Sequence, residues 1–265
     1  MIKLKGVVKN FGGVNLLKNL SFTVQKGERV SLLGTGGSGK STIVKIILGL
    51  TQPDKGTVEL FENDMINCSS YEREQTLKSV GVAFQQGGLF DFMTVRENLL
   101  FAMEHMTDKN KEEQEIAVKS LLAAVKLPNT ADIFPHELSG GMKRRVGIAR
   151  ALCTQPTIAI FDEPTSGLDP VTSTVILNMI LALSSASSGV SSLVVTSNVE
   201  VAIRFAERLL ILKDGEIVAD GSWKSLLLDG SDWVKHILQT RLIGLDISYA
   251  KELSLPESFI KEHWS

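Results

Sequence analysis

The stretch Gly34-Thr35-Gly36-Gly37-Ser38-Gly39-Lys40-Ser41-Thr42 limits what this chain can fold into more than any other. It stands between an apolar run, Val30 to Leu33, and an apolar-periodic segment, Ile43 to Leu48, and so reads as strand, loop and helix in succession. Glycines let backbone N–H groups curl round a polyphosphate, and the helix N-terminus behind them adds partial positive charge. Lys40 is then placed for the β- and γ-phosphates, and the Ser41 hydroxyl for Mg²⁺. A glycine-rich turn before a helix would need neither of the two.

A chain of 265 residues can bury a proper core. Its formal charge of −2 gives no basic field, so nucleic acid is not an expected partner. Cys68 and Cys153 are too few for a disulfide framework or a zinc site and read as reduced thiols of a cytosolic protein. Met1 to Lys5 alternates like a strand and has no signal-peptide core. No uncharged apolar stretch approaches the roughly eighteen residues of a spanning helix. Work at a membrane would therefore require another chain.

The first 33 residues read as strands, Ile2 to Val8, Leu20 to Val24 and Val30 to Leu33, with turns at Gly12-Gly13 and Lys26-Gly27. Phe11, in the turn after the first strand, could stack on a base; alone it reads as an edge-of-core aromatic. Gly49 caps the helix after the loop, and Thr57 to Phe61 is a further strand. Val80 to Phe84 reads as a buried strand ending at Gln85, whose amide could meet a metal-bound water, although a loop glutamine needs no such role. Residues 94 to 127 turn helical and charged, and about 87 to 152 read as a helical lobe inserted between two halves of a sheet domain.

Ser139-Gly140-Gly141 opens a helix carrying Lys143, Arg144, Arg145 and Arg150, which makes it a second candidate anion site or a plain N-cap. The strand Thr157 to Phe161 delivers Asp162 and Glu163 to the ligand edge of a parallel sheet. Asp162 would hold Mg²⁺ through water, and Glu163 would polarise the attacking water. Asp169 is an available cap for a helix Val171 to Ala182. Ser184 to Ser192 reads as a flexible connector, Leu193 to Thr196 as a strand before Ser197-Asn198, and Val199 to Arg208 as a helix. A hairpin about Asp214-Gly215 follows. After it comes an apolar stripe on Trp223, Leu226, Leu227, Trp233, Val234, Ile237 and Leu238, and then an arm, Leu242 to Ser265.

In this order and at these separations, the phosphate loop, Gln85, Leu138-Ser139-Gly140-Gly141 and Asp162-Glu163 resemble the nucleotide-binding subunit of an ATP-binding-cassette (ABC) transporter. The resemblance covers about residues 1 to 220, with 221 to 265 as an extension. It implies an α/β fold of the P-loop (RecA-like) type: a mixed sheet core, an N-terminal antiparallel β-subdomain and the inserted helical subdomain. It also implies the roles. Phe11 matches the adenine-stacking aromatic, Gly34 to Thr42 the Walker A loop, and Gln85 the Q-loop glutamine that shares Mg²⁺ with Ser41 and Asp162. Leu138 to Met142 match the signature motif, Phe161-Asp162-Glu163 the end of Walker B with its catalytic glutamate, and Ser166 to Asp169 the D-loop.

The cofactors so implied are ATP and Mg²⁺. The implied partners are a second copy of the chain, whose Lys40 would share one nucleotide with Ser139 to Gly141 of the first, and integral membrane permease subunits on the cytoplasmic face of the membrane. Two positions depart from the common pattern. Met142 stands where most relatives have glutamine, and together with Arg144-Arg145 it is similar to the Mla/Mce group of bacterial lipid transporters, which adds Mce-type substrate-binding proteins and a small accessory subunit to the partners. Ser197 stands where the family has a switch histidine. A hydroxyl donates a hydrogen bond but carries no charge, and a positioned acid–base group contributes about 10²–10⁴-fold, so slow turnover is expected. An ATPase subunit for lipid transport is the expectation; a small-solute importer, or a nucleotide-gated subunit with very slow hydrolysis, is the alternative.

Overall fold

Alternating apolar residues at the N-terminus build an antiparallel hairpin in this computed structural model, which describes residues 1–107, 109–186, 189–206 and 208–242. Strands β1 (Ile2–Phe11) and β2 (Val14–Val24) pair across Gly12-Gly13, with bulges along the register. Both strands run further than the hydrophobic pattern indicates. The polar end of β1 is held by Asp54, which accepts from Lys9 Nζ at 3.0 Å and from the Asn10 N–H at 2.6 Å. β3 (Arg29–Gly34) leads into the phosphate loop and α1 (Lys40–Ile47). β4 (Lys55–Leu60) and the short β5 (Asn63–Asp64) complete a four-stranded antiparallel sheet in the order β2-β1-β4-β5.

Helix α2 (Ser70–Leu77) is a mainly polar element fixed by a Ser69–Glu72 capping box, and hydrophobic periodicity gives no sign of it. β6 (Val80–Ala83) then enters the main sheet, and the inserted lobe follows as α3 (Val95–Met106), α4 (Lys111–Ala124) and α5 (Gly140–Leu152). The single helical run expected over 94 to 127 is two helices, because Asn110 caps α4 with Glu113. The chain returns through β7 (Ile158–Asp162), α6 (Pro170–Ala186), β8 (Ser191–Thr196), α7 (Val199–Phe205), β9 (Arg208–Lys213) and β10 (Glu216–Ser222). It ends in α8 (Trp223–Asp229) and α9 (Asp232–Leu242).

The main sheet has the order β10-β9-β3-β8-β7-β6, parallel from β9 to β6 with β10 antiparallel at one edge. β7 and β8 are buried along their whole length, as strands covered on both faces must be. The C-terminal ends of β3, β6, β7 and β8 therefore bring the phosphate loop, Gln85, Glu163 and Ser197 to one edge of the sheet.

Two expectations are corrected. Ser191 and Ser192 are buried residues of β8 and do not belong to a flexible connector; the Ser191 hydroxyl accepts from the Gly27 N–H at 2.9 Å. α7 stops at Phe205, and Arg208 opens β9, drawn there by Glu28 at 2.8 Å and Asp220 at 2.7 Å. The apolar stripe after Gly221 is built onto the sheet: Trp223, Leu227, Val234 and Leu238 form one cluster with Val199, Ile203 and Leu209. The arm expected beyond Leu242 lies outside the described residues. Burial pushes the Cys153 thiol up to about 12, which makes it chemically inert.

β6 lies so close to α5 that a Cβ on Gly81 would collide with the Ala151 carbonyl oxygen and meet Pro156 Cγ at 2.8 Å. Backbone cannot yield as a flexible side chain can. Gly81→Ala is expected to cost about 3 kcal/mol of stability, read as a lower midpoint in urea denaturation; an unchanged midpoint would contradict this packing.

Candidate functional site

The phosphate loop is wrapped round its own lysine. Lys40 is only 5% exposed, and its Nζ donates to the carbonyl oxygens of Gly34 and Thr35 at 3.0 and 2.9 Å. The same ammonium pairs with Glu163 Oε1 at 3.2 Å. Gly39, the residue before α1, has φ 98°, a left-handed conformation that places the helix N-terminus behind the loop. It packs on Leu16 and Leu17 of β2, which sets the hairpin bearing Phe11 alongside the loop. Phe11 is half exposed, with Lys9 Nζ 5.2 Å from its ring centre.

β7 supplies two carboxylates with opposite surroundings. Asp162 is buried and its Oδ1 has no hydrogen-bond partner among the described residues. Burial pushes its carboxyl above the usual range, the Ser41 hydroxyl draws it back, and the neighbouring Glu163 charge adds to the rise. Glu163 has φ 46°, a strained conformation for a non-glycine residue, secured by its N–H donating to the Val195 carbonyl at 2.8 Å. Its Oε2 lies 3.4 Å from Thr196 Oγ1 and 3.3 Å from Ser197 Oγ, both hydroxyls donating to it. Ser197 thus reaches the Glu163 carboxylate, a contact that the sequence gives no sign of. No sequence motif points to Thr196; the one signal is that a hydroxyl closing an apolar buried strand requires a partner.

A polar cavity of about 530 Å³ lies beside these groups, lined by Glu163, Ser166, Ser197, Asn198 and Glu200 among others. Gln85 Nε2 donates to Ser166 Oγ at 3.4 Å, and Arg144 Nε of α5 donates to the Gln85 carbonyl at 2.9 Å. The helical lobe is in this way tied to the glutamine. Ser41, Gln85 and Asp162 offer oxygen donors, and the orphaned Asp162 Oδ1 is the kind of atom a hard cation satisfies, so the residues present fit Mg²⁺.

Ser139 caps α5 through the Met142 N–H at 3.3 Å. A Cβ on Gly140 would meet nothing within 4 Å, so its backbone faces open space, while Gly141 packs against Thr172 and Leu168. Asp169 accepts from the Thr172 N–H at 2.9 Å, and hydrogen bonding to Thr172 holds its carboxyl below the usual range. Ser139 to Gly141 and the start of α6 therefore form one surface. Among the described residues that surface makes no hydrogen bond to the phosphate loop of its own chain.

On another face a groove of about 400 Å³ runs between β6 and α3, lined by Leu50, Phe84, Phe90, Phe101, His105 and Arg150 among others. Phe90 stacks edge-on with Phe101 at 5.2 Å and lies under Arg150 at 5.6 Å, and Phe92 stands 75% exposed nearby. Among the described residues no helix is long and apolar enough to cross a membrane.

The family model described as ABC transporter matches residues 17–166. The probable ribonucleotide transport ATP-binding protein mkl of Mycobacterium tuberculosis is 35% identical over 243 residues, covering 92% of this chain and 67% of that protein. The chloroplastic protein trigalactosyldiacylglycerol 3 of Arabidopsis thaliana is 38% identical over 236 residues, covering 83% and 68%. Among solved structures, the dimeric post-hydrolysis state of an ATP-binding cassette bound to ADP and Pi superposes with a TM-score of 0.77 at 33% identity, covering 84% of this chain and 98% of that one. A family match over residues 17–166, more than half of the chain, joined to a loop that closes on Lys40 and carboxylates at the adjoining strand end, makes this chain a member of the ABC transporter family, an ATP-binding subunit that takes ATP with Mg²⁺.

Proposed function

We propose that this chain is the ATP-hydrolysing motor of a bacterial lipid transporter, working as a nucleotide-sandwich homodimer on the cytoplasmic face of the membrane. The observation that carries the reading is Lys40 paired with Glu163 at 3.2 Å, which puts the phosphate-binding cation and the base on one reacting centre. Phe11 stacks on the adenine, the loop from Gly34 to Thr42 cradles the phosphates, and Lys40 leaves Glu163 for the γ-phosphate. Ser41, Asp162 and Gln85 would hold Mg²⁺, which would supply charge neutralisation at the phosphates. Glu163 takes a proton from the attacking water. Ser139 to Gly141, facing outward with their N–H groups free of the loop in their own chain, grip the nucleotide of the second copy, and Asp169 orders the adjoining segment.

The Phe90–Phe101 groove is the surface for the permease, and Arg144 passes the state of Gln85 to the lobe that forms it. Lipid as cargo is supported by Met142 with Arg144-Arg145, and by a relative named for a glycolipid. Mce-type proteins and a small accessory subunit complete the assembly. A small-solute importer is the second reading, supported by the relative named for ribonucleotide transport. Ser197, uncharged, favours slow turnover, but its contact with Glu163 keeps the base held, so a purely nucleotide-gated subunit is the weaker idea.

Affinity isolation of the full-length chain from its membrane, with mass spectrometry of the co-purifying chains and lipids, tests the cargo. Phospholipid together with an Mce-domain chain is the expected result; a soluble solute-binding protein with no bound lipid would favour the second reading.

A further inference from the structure

Two hydroxyls approach Glu163 Oε2, and the buried one has its proton direction fixed by the backbone. The Asn198 N–H donates to Thr196 Oγ1 at 3.1 Å, so the Thr196 hydroxyl proton is left to donate to Glu163 at 3.4 Å. Asn198 is itself anchored, its side-chain oxygen accepting from the Val201 N–H at 3.2 Å as the cap of α7. Thr196 is fully buried, so no water competes for this geometry. Ser197 adds a second donor to the same oxygen at 3.3 Å, while Lys40 holds the other oxygen, Oε1, at 3.2 Å. The two hydroxyl contacts are long, a spacing found at catalytic contacts that tighten once substrate is bound.

We propose that Thr196 is a positioning residue for the base: with Ser197 it pins Oε2, so that departure of Lys40 to the γ-phosphate frees Oε1 alone to meet the attacking water. The inference rests on the reading of Glu163 as the base. The water oxygen bonds to the γ-phosphorus as the bond to the bridging oxygen breaks. ADP leaves with that electron pair, and the water's proton goes to Oε1. Two hydroxyls from the end of β8 thereby supply the orientation that an imidazole would otherwise give, without its charge.

The test uses the full-length chain in its transporter complex, with steady-state phosphate release and affinity for a non-hydrolysable ATP analogue as readouts. Thr196→Val keeps the volume and removes the donor, and it should lower kcat about tenfold with analogue affinity and KM within about twofold of the parent. Thr196→Ser, which keeps the hydroxyl, should recover most of the loss. In a Glu163→Gln background Thr196→Val should slow nothing further. The proposal is overturned if Thr196→Val turns over within twofold of the parent, if Thr196→Ser is as slow as Thr196→Val, or if the loss lies in KM. Should Thr196→Val fail to fold, Thr196→Ala carries the same expectations. Undiminished turnover in Glu163→Gln alone would instead remove the base assignment and leave Thr196 nothing to position.

Discussion

Lys40→Ala should abolish Mg²⁺-dependent phosphate release, by at least about 10²–10³-fold at saturating ATP. Three acceptors converge on the ammonium, the carbonyls of Gly34 and Thr35 and the carboxylate of Glu163, in a place where solvent hardly reaches. Removing it takes away the only side-chain cation bonded within the loop in the described contacts, and also leaves a buried carboxylate without its counter-charge. Breaking one side of a buried pair costs about 3 kcal/mol, so the variant should also unfold earlier, and circular dichroism must establish that it is folded before its rate is read. Lys40→Arg should not rescue it, because a planar fork cannot fill a pocket closed around a point charge. A folded Lys40→Ala chain that releases phosphate at the parental rate would remove the site from this loop altogether.

What could be read from the sequence follows from how local each constraint is. The loop from Gly34 to Thr42, the two carboxylates after Phe161 and the cap at Ser139 are contiguous, and each is dictated by backbone geometry within a few residues. The central strands were equally legible, because burial on both faces leaves unbroken apolar runs. α2 was not, since its sequence is polar and its stability comes from a capping box. Ser191 and Ser192 were misread because serine-rich composition mimics a linker, while their burial depends on β3 and β7 on either side. Thr196 escaped for a related reason: its partner is 33 residues earlier, and only the parallel pairing of β7 with β8 brings the two together. Arg144 is another such case, since nothing in the spacing from Gln85 foretells a hydrogen bond to its carbonyl.

Glu163→Gln should separate binding from chemistry where Lys40→Ala removes both. The amide has the shape of the carboxylate, and its oxygen can still accept from Lys40, so the loop should keep its form and ATP should still bind. The group lost is the proton acceptor, worth about 10²–10⁴-fold in turnover. With hydrolysis blocked and binding intact, the nucleotide that draws two copies together is no longer consumed. The closed dimer should then accumulate with MgATP and disperse when Mg²⁺ is chelated, as read by size-exclusion chromatography with light scattering. The parent should pass through that state without accumulating it. A Glu163→Gln chain that stays monomeric with ATP would argue that Ser139 to Gly141 do not meet the nucleotide of a second copy; one that turns over normally would move the base elsewhere. On the proposed reading the buried pair would also set the order of events: Lys40 would not hold Glu163 and the γ-phosphate at full strength at once, so arrival of ATP would itself be the step that unmasks Oε1.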